Sequence, residues 1–352
     1  MDHDVMSVIL KNHSSDELQS RLDHLGVTLR QARQLQAAAL RTGTLPAAQP
    51  GFSARMVRTL HQAVTLPNLA VMGKVVSPSD GFTKYVFQGD GPEPFEAVRI
   101  PLLHRPDDLK YIACISSQVG CAMGCAFCFT GRMGFLRNLS AWEMVDQVIK
   151  IQTDSPHPVR GVVFMGMGEP LLNYDEVIRA ARILSEPCGM AISGKAITIS
   201  TVGIVPGIRR LTAEKYPFRL VVSLTSADPQ RRRALMPVEQ THSTADLVAA
   251  LREYHAATGE RITLAWTLIS GMNTREEDAR QLAALTQGLP VKLDLIDVND
   301  PSGTFTPPSP VELDTFRDAL RVHLAAPVVR RYSGGKDIGA ACGMLAGKRA
   351  PY

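Results

Sequence analysis

The 352-residue sequence predicts an α/β protein: a parallel sheet of six β/α units, open or curled toward a barrel, behind a helical appendage and a short β extension. Three observations carry that prediction. From about residue 110, short runs rich in β-branched residues alternate with amphipathic stretches nearly to the end of the chain. Those runs are mostly apolar throughout, the pattern of strands covered on both faces. The first 65 residues carry helical patterning and no strand signal.

In order, "SSDELQSRLDHLGVTLRQARQLQAAALRTG" reads as two short helices, and Gly43, Pro46 and Pro50 interrupt the stretch after them. This places a helical accessory domain at 1–65. "NLAVMGKVV", "TKYVFQG" and "EAVRI" read as a small antiparallel β extension over 66–110. The core then fills 111–352. Its candidate strands are "IACIS" (112–116), "GVVFMG" (161–166), "AITIST" (196–201), "FRLVVSL" (218–224), "RITLAWTLI" (261–269) and "VKLDLIDV" (291–298), with a last strand "PVVRRY" (327–332). Among the helices between them, "SAWEMVDQVIKI" opens on Ser140 and Glu143 at capping-box spacing, and "TREEDARQLAAL" on Asn273 and Thr274. "SPVELDTFRDALRVHL" precedes the last strand. In folds of this kind the chemistry sits at the C-terminal ends of the parallel strands, so the residues there are the ones to read.

Composition excludes a fibrous or disordered chain: 45% of residues are hydrophobic, 20% are charged, and no low-complexity tract intervenes. The net charge of +4 is a weak pointer to an anionic partner. The first residues lack a basic start followed by an apolar run, and nowhere do eighteen apolar residues stand together. The expectation is a soluble cytoplasmic protein with no membrane association. In that reducing compartment, clustered cysteines are more often metal ligands or redox groups than structural disulfides.

Four of the six cysteines fall in "CISSQVGCAMGCAFCFTG", residues 114–131. Cys121, Cys125 and Cys128 stand as C-x3-C-x2-C after a strand. Three thiolates in one loop suit three irons of a [4Fe-4S] cluster and leave the fourth iron open, which is what a catalytic site needs. Zinc is the main rival, but no second C-x2-C or closely spaced His pair supplies a fourth ligand. Buried apolar thiols are the bland alternative.

The spacing, with Phe127 before its last cysteine, resembles the radical S-adenosylmethionine (SAM) enzymes. With "FMGMGEPLLNYDEV", "TISTVGIVPGI" and "DIGAACGMLAG" in order behind the cysteine loop, the chain is similar to the RlmN/Cfr family of radical SAM adenine C-methyltransferases. The resemblance implies a partial (β/α)6 barrel, a [4Fe-4S] cluster on Cys121, Cys125 and Cys128, and SAM contacts from Gly168, Glu169, Ser200, Ser223, Leu224, Thr225 and Asn299. It further implies that Cys342 is methylated by one SAM and then bonded through that carbon to an adenine carbon, C2 or C8. Glu96 then accepts the ring proton, and Cys114 resolves the link through a transient disulfide with Cys342. The implied substrate is RNA, large-subunit ribosomal RNA first and transfer RNA second. The implied electron source is a low-potential donor such as flavodoxin or ferredoxin, and a monomer is the expected state.

Without that pattern several residues would read otherwise: Glu96 as a solvated strand residue, Cys342 as a small buried one, and "MGMGEP" as an ordinary strand-to-loop turn. Cys188 reads as a packing residue near a helix end. The run Arg231–Arg233, with Arg330 and Arg331, is open between phosphate contact and a solvated helix face.

Four departures from the family pattern concern the substrate. Thr225 stands where His is common after "SL". Lys336, Gly339 and Met344 change the C-terminal motif. Pro307 replaces an expected arginine, and the segment before the cluster, "PLLHRPDDLKYIAC", is longer. Finally the appendage, which in the family helps to hold RNA, reads "RQLQAAALRTG" in place of an aromatic-rich run. A methylase of the same mechanism acting on a small nucleoside or secondary metabolite is therefore the alternative expectation.

Overall fold

The computed structural model describes residues 7–47, 51–102 and 109–346; Pro50 and the centre of the long segment before the cluster, 103–108, lie outside the described residues. A ten-stranded sheet organises the chain. Its strands are β1 (Ala70–Val76), β2 (Thr83–Gln88), β3 (Phe95–Leu102), β4 (Lys110–Cys114), β5 (Val159–Phe164), β6 (Ile197–Thr201), β7 (Arg219–Ser223), β8 (Ile262–Leu268), β9 (Val291–Asp297) and β10 (Val328–Arg330). They lie side by side in chain order. β1 to β4 pair antiparallel, and from β4 to β10 each strand pairs parallel with the next. The parallel strands are apolar because both faces are covered: Val162, Phe164, Ile199, Val222, Leu264, Trp266, Leu268, Leu293 and Leu295 are all buried.

The helices are α1 (Ser15–Leu22), α2 (Leu29–Arg41), α3 (Ala54–Ala63), α4 (Phe129–Arg132), α5 (Ala141–Thr153), α6 (Tyr174–Ser185), α7 (Val205–Glu214), α8 (Pro229–Leu235), α9 (Thr244–Thr258), α10 (Glu276–Leu285) and α11 (Pro310–His323). The Ser140–Glu143 box opens α5, the Ser140 amide donating to the Glu143 carboxylate at 2.9 Å. Asn273 and Thr274 do not open α10. That helix starts two residues later with Arg275 at its N-cap and Asp278 accepting the Arg275 amide. Asn273 is instead a buried tie, donating to the Thr225 and Thr267 carbonyls at 2.8 and 2.7 Å and accepting from the Ile269 amide. A side chain able to satisfy three backbone groups is used there before helix propensity is consulted.

The N-terminal segment differs from its reading as two helices without a strand. α1 and α2 form, and α3 comes after them, its first turn held by the Ser53 hydroxyl accepting the Met56 amide. Val8–Ile9 and Val64–Thr65 pair as a two-residue parallel ribbon, a contact between positions too far apart in sequence to show as a local pattern. Leu10, Leu18, Leu22, Leu35, Phe52 and Leu60 share a small core of their own. Buried polar ties join it to the sheet domain. Lys11 Nζ reaches Asp146 at 2.6 Å with both side chains fully buried, and the Asn12 side chain accepts the Trp142 amide at 2.8 Å. Among the described residues no helix is long and apolar enough to cross a membrane.

Candidate active site

The parallel register places the ends of β4 to β9 along one edge of the sheet, and the loops leaving that edge carry the cysteines. β4 ends on Cys114, and the next segment is knitted to the loop after β5: the Ser117 amide donates to the Met167 carbonyl at 2.9 Å, and the Glu169 amide to Gln118 Oε1 at 2.9 Å. Only glycine serves at 168, where φ is +102° and a Cβ would stand 2.6 Å from that of Gln118. Glu169 is thereby held in the interior, 2% exposed, its oxygens accepting from the Leu171 and Val202 amides, each at 2.9 Å. Burial raises its carboxyl to about 7, against these hydrogen bonds and one from the Thr201 hydroxyl.

Cys121, Cys125 and Cys128 occupy the loop between Gly120 and α4, with Cys128 at the N-cap of that helix. Burial pushes the Cys121 thiol up to about 12 and that of Cys125 further, and each of the two feels the charge of Cys128 and of Glu169. Among the described residues no three His, Cys, Asp or Glu groups are placed to hold one metal ion. As a donor set, three cysteines in one loop suit a cluster that takes one thiolate on each of three irons and leaves the fourth iron open.

The C-terminal segment crosses this edge and is fastened along its length. Asn299, just beyond β9, donates to the Cys342 carbonyl at 3.2 Å. The Phe129 amide, next to Cys128, donates to the Gly343 carbonyl at 2.7 Å, and Thr130 Oγ1 to the Leu345 carbonyl at 2.6 Å. The Ala346 amide donates to Glu96 Oε2 at 2.7 Å. Cys342 is open to solvent while protein crowds its other sides, and this burial pushes its thiol up; Arg331 works against that and Cys128 adds to it. Cys114 is buried and raised by that burial, with a further contribution from the charge of Cys342. All six cysteines are free thiols.

Glu96 on β3 is not a solvated strand residue. It is 1% exposed and pairs with Lys84 Nζ at 3.3 Å, and its carbonyl accepts the Ser116 hydroxyl at 2.5 Å. Ser200 and Ser223 lie half-buried at the ends of β6 and β7, and Leu224 and Thr225 come next after Ser223, fully buried. Thr225 takes a left-handed φ of +60°, unusual for a branched residue. Three buried polar atoms along this edge, Ser117 Oγ, Thr225 Oγ1 and Asn299 Oδ1, have no hydrogen-bond partner. Such atoms are costly in a finished fold and suit a ligand that brings its own donors and acceptors. With a buried carboxylate that an ammonium would satisfy, they make the edge fit SAM.

The other residues singled out in the sequence resolve individually. Gly339 has φ +65° and Lys336 is exposed. Asp80, Asp297, Arg330, Arg331, Tyr332 and Lys336 line a cleft of about 610 Å³ beside the C-terminal segment. Arg330 is paired with Asp297 and Arg331 with Asp294. Neither reading of the arginine run covers it: Arg231 pairs with Asp278, Arg233 is exposed, and Arg232 is fully buried. Cys188 is half-buried and donates to Gln36 Oε1 at 2.9 Å, a packing contact as expected. Sequence reasoning passed over Gln118 and Lys84, and took Arg232 only as part of an exposed arginine run. Gln118 sits inside "SSQVGC", but nothing local distinguishes Lys84 or Arg232 from ordinary surface residues.

Residues 115–283 match the Radical SAM superfamily. A Myxococcus xanthus protein described as a "Probable RNA methyltransferase" is 47% identical over 342 residues, covering 96% of this chain and 94% of its own. The "Dual-specificity RNA methyltransferase RlmN" of Syntrophobacter fumaroxidans is 42% identical over 342 residues, covering 96% and 98%. Among solved structures, a radical SAM methyltransferase from Sphaerobacter thermophilus superimposes with a TM-score of 0.87 at 35% identity, over 97% of this chain and all of that one. The chain belongs to the RlmN/Cfr family of radical SAM methyltransferases.

Proposed function

We propose that this enzyme methylates an sp2 carbon of adenine, C2 or C8, in RNA, with large-subunit ribosomal RNA as the first target and transfer RNA as the second. The observation that supports the reading is the fastening of the C-terminal segment, which carries Cys342, to Asn299, to the helix after the cysteine loop and to Glu96, with Cys114 within electrostatic reach of Cys342. An RNA substrate is supported by the names of the relatives. It is supported also by charge: no acidic residue occurs between Asp23 and Asp80, and Arg30, Arg33, Arg55 and Arg58 lie on the helical unit. We take residues 1–65 as an accessory domain that holds RNA, residues 66–110 as the β extension, and 111–352 as the catalytic core.

Cys121, Cys125 and Cys128 would hold the [4Fe-4S] cluster. Gly168, Glu169, Ser200, Ser223, Leu224, Thr225 and Asn299 would contact SAM, the Glu169 carboxylate taking the amino group. When bound, the cluster supplies the electron that turns SAM into a source of a carbon radical. The adenine carbon has no lone pair for ordinary methyl transfer, so the methyl group is first placed on Cys342 sulfur. Once a hydrogen atom is removed from that methyl, its carbon can bond to the ring. Glu96, paired with Lys84, would take the ring proton while the odd electron of the adduct goes back to the oxidised cluster, leaving an ordinary thioether between Cys342 and the base. Cys114, as its thiolate, then attacks Cys342 sulfur, forming a disulfide while the departing carbon takes a proton and leaves as the methylated base; two electrons and two protons restore both thiols. A flavodoxin or ferredoxin would supply low-potential electrons, and the reducing cytoplasm is where such a disulfide stays transient.

Mass spectrometry of the purified enzyme tests the central step. A methyl group on Cys342 is expected, and its persistent absence with SAM supplied would overturn the reading. Cys342→Ala is expected to stop turnover and keep its iron. Incubating the reduced enzyme with SAM and protein-free ribosomal RNA should yield methyladenosine. No methyladenosine, with normal 5′-deoxyadenosine release on a small nucleoside, would favour the alternative substrate class.

A further inference from the structure

Arg232 is a fully buried guanidinium that the mechanism above does not use. Taking a cation out of water costs several kcal/mol unless every N–H finds a partner, so where its hydrogen bonds go is informative. Nη1 donates to Glu239 at 2.5 Å, and Glu239 is held in turn by the amide and hydroxyl of Thr244 at 2.9 and 2.8 Å. The other bonds reach the loops that follow β6 and β7. Nε donates to the Leu224 carbonyl at 3.3 Å, just before strained Thr225, and Nη2 to the Val202 carbonyl at 2.6 Å. Val202 is the residue whose amide donates to Glu169 Oε2 at 2.9 Å. Its two backbone polar atoms are therefore gripped from opposite sides, by Arg232 and by Glu169. Arg232 also stands behind Gly203, where an added Cβ would lie 3.4 Å from Nη2. The same helix, α8, accepts the Ala126 amide on the Leu235 carbonyl at 2.9 Å, next to Cys125.

We propose that Arg232 is a positioning residue for SAM: by fixing the Val202 and Leu224 carbonyls it sets the Glu169 carboxylate and the β7 loop at the angle the ligand needs. A buried pair serving stability alone is replaceable by apolar packing, whereas this one spends two of its three anchors on the loops that leave β6 and β7. The inference rests on the reading that Glu169 binds SAM, and the experiment separates the two. Arg232→Lys keeps the charge and loses the planar fork, so it cannot hold both carbonyls and Glu239 together.

SAM affinity is measured by equilibrium dialysis on anaerobically reconstituted protein, with iron content and melting temperature determined in parallel. The variants are Arg232→Lys, Glu169→Gln and the double change. Arg232→Lys should retain its iron and bind SAM about tenfold more weakly, the scale of losing hydrogen bonds to a charged group. Because Arg232 acts largely through Glu169, the double variant should bind little worse than Glu169→Gln alone. Unchanged affinity in Arg232→Lys, or full additivity in the double variant, overturns the proposal. Unchanged affinity in Glu169→Gln overturns the underlying reading instead. Should Arg232→Lys fail to fold, Glu239→Gln, which loosens the same anchor, is expected to weaken SAM binding several-fold; no change there with iron intact also overturns it.

Discussion

Glu169→Gln makes a sharp test of the electrostatics of this site. The carboxyl is 2% exposed, and burial lifts it from 4.5 to about 7. A carboxyl raised in the fold binds protons more tightly there than in the unfolded chain, so its stabilising effect is complete below pH 4.5 and is lost as pH climbs to 7. At about 1.4 kcal/mol per pH unit, the loss over that window is about 3 kcal/mol. Urea unfolding of the metal-free protein at pH 5 and pH 8 should show this fall in the wild type. In Glu169→Gln, which has nothing to titrate, the decline should shrink by that amount. The variant should also be less stable at pH 5, because its amide NH2 only donates and would face one of the Leu171 and Val202 amides, where the hydroxyl oxygen of the protonated carboxyl can still accept. In the reconstituted enzyme the ammonium of SAM needs the ionised form, so binding should weaken about tenfold from pH 8 to pH 6. Parallel stability profiles for wild type and variant would refute the reasoning.

Three single features carry further predictions. Lys11→Met should cost about 3–5 kcal/mol, because it strands Asp146 in the interior, and adding Asp146→Leu should recover most of that; chemical denaturation measures both. Gly168→Ala forces a side chain into φ +102° against Gln118, and should lower stability by about 1–3 kcal/mol and weaken SAM binding in the same dialysis assay. Reversing Arg30, Arg33, Arg55 and Arg58 to Glu should leave SAM binding intact and weaken RNA binding, with a salt dependence shallower by a slope of up to about 3 in a filter-binding titration.

The core was legible because both its signals are local. An apolar run of β-branched residues reports a strand covered on two faces, and Ser140 with Glu143 reports a helix start; the observed bounds of β4 to β10 fall within about two residues of those expected. The short ribbon of Val8–Ile9 with Val64–Thr65 was not legible, since its partners are distant in sequence and each is two residues long. Asn273 departs from expectation for a related reason: its neighbours suggest a cap, but the demand of three backbone groups takes the side chain. Glu96 and Arg232 show the larger gap. Charged residues carry no mark of burial, and only the packed fold shows that one closes on Lys84 and the Ala346 amide while the other braces Val202 and Leu224.

The sequence alone determined the alternation that builds the sheet, the C-x3-C-x2-C loop and the ordered motifs that mark the family, because each depends on residues close together in the chain. Tertiary structure decided how Cys114 comes to feel the charge of Cys342, which carboxylates are dry, and which buried atoms wait for a ligand. Those properties depend on what the fold brings from elsewhere to exclude water, and no local pattern records that.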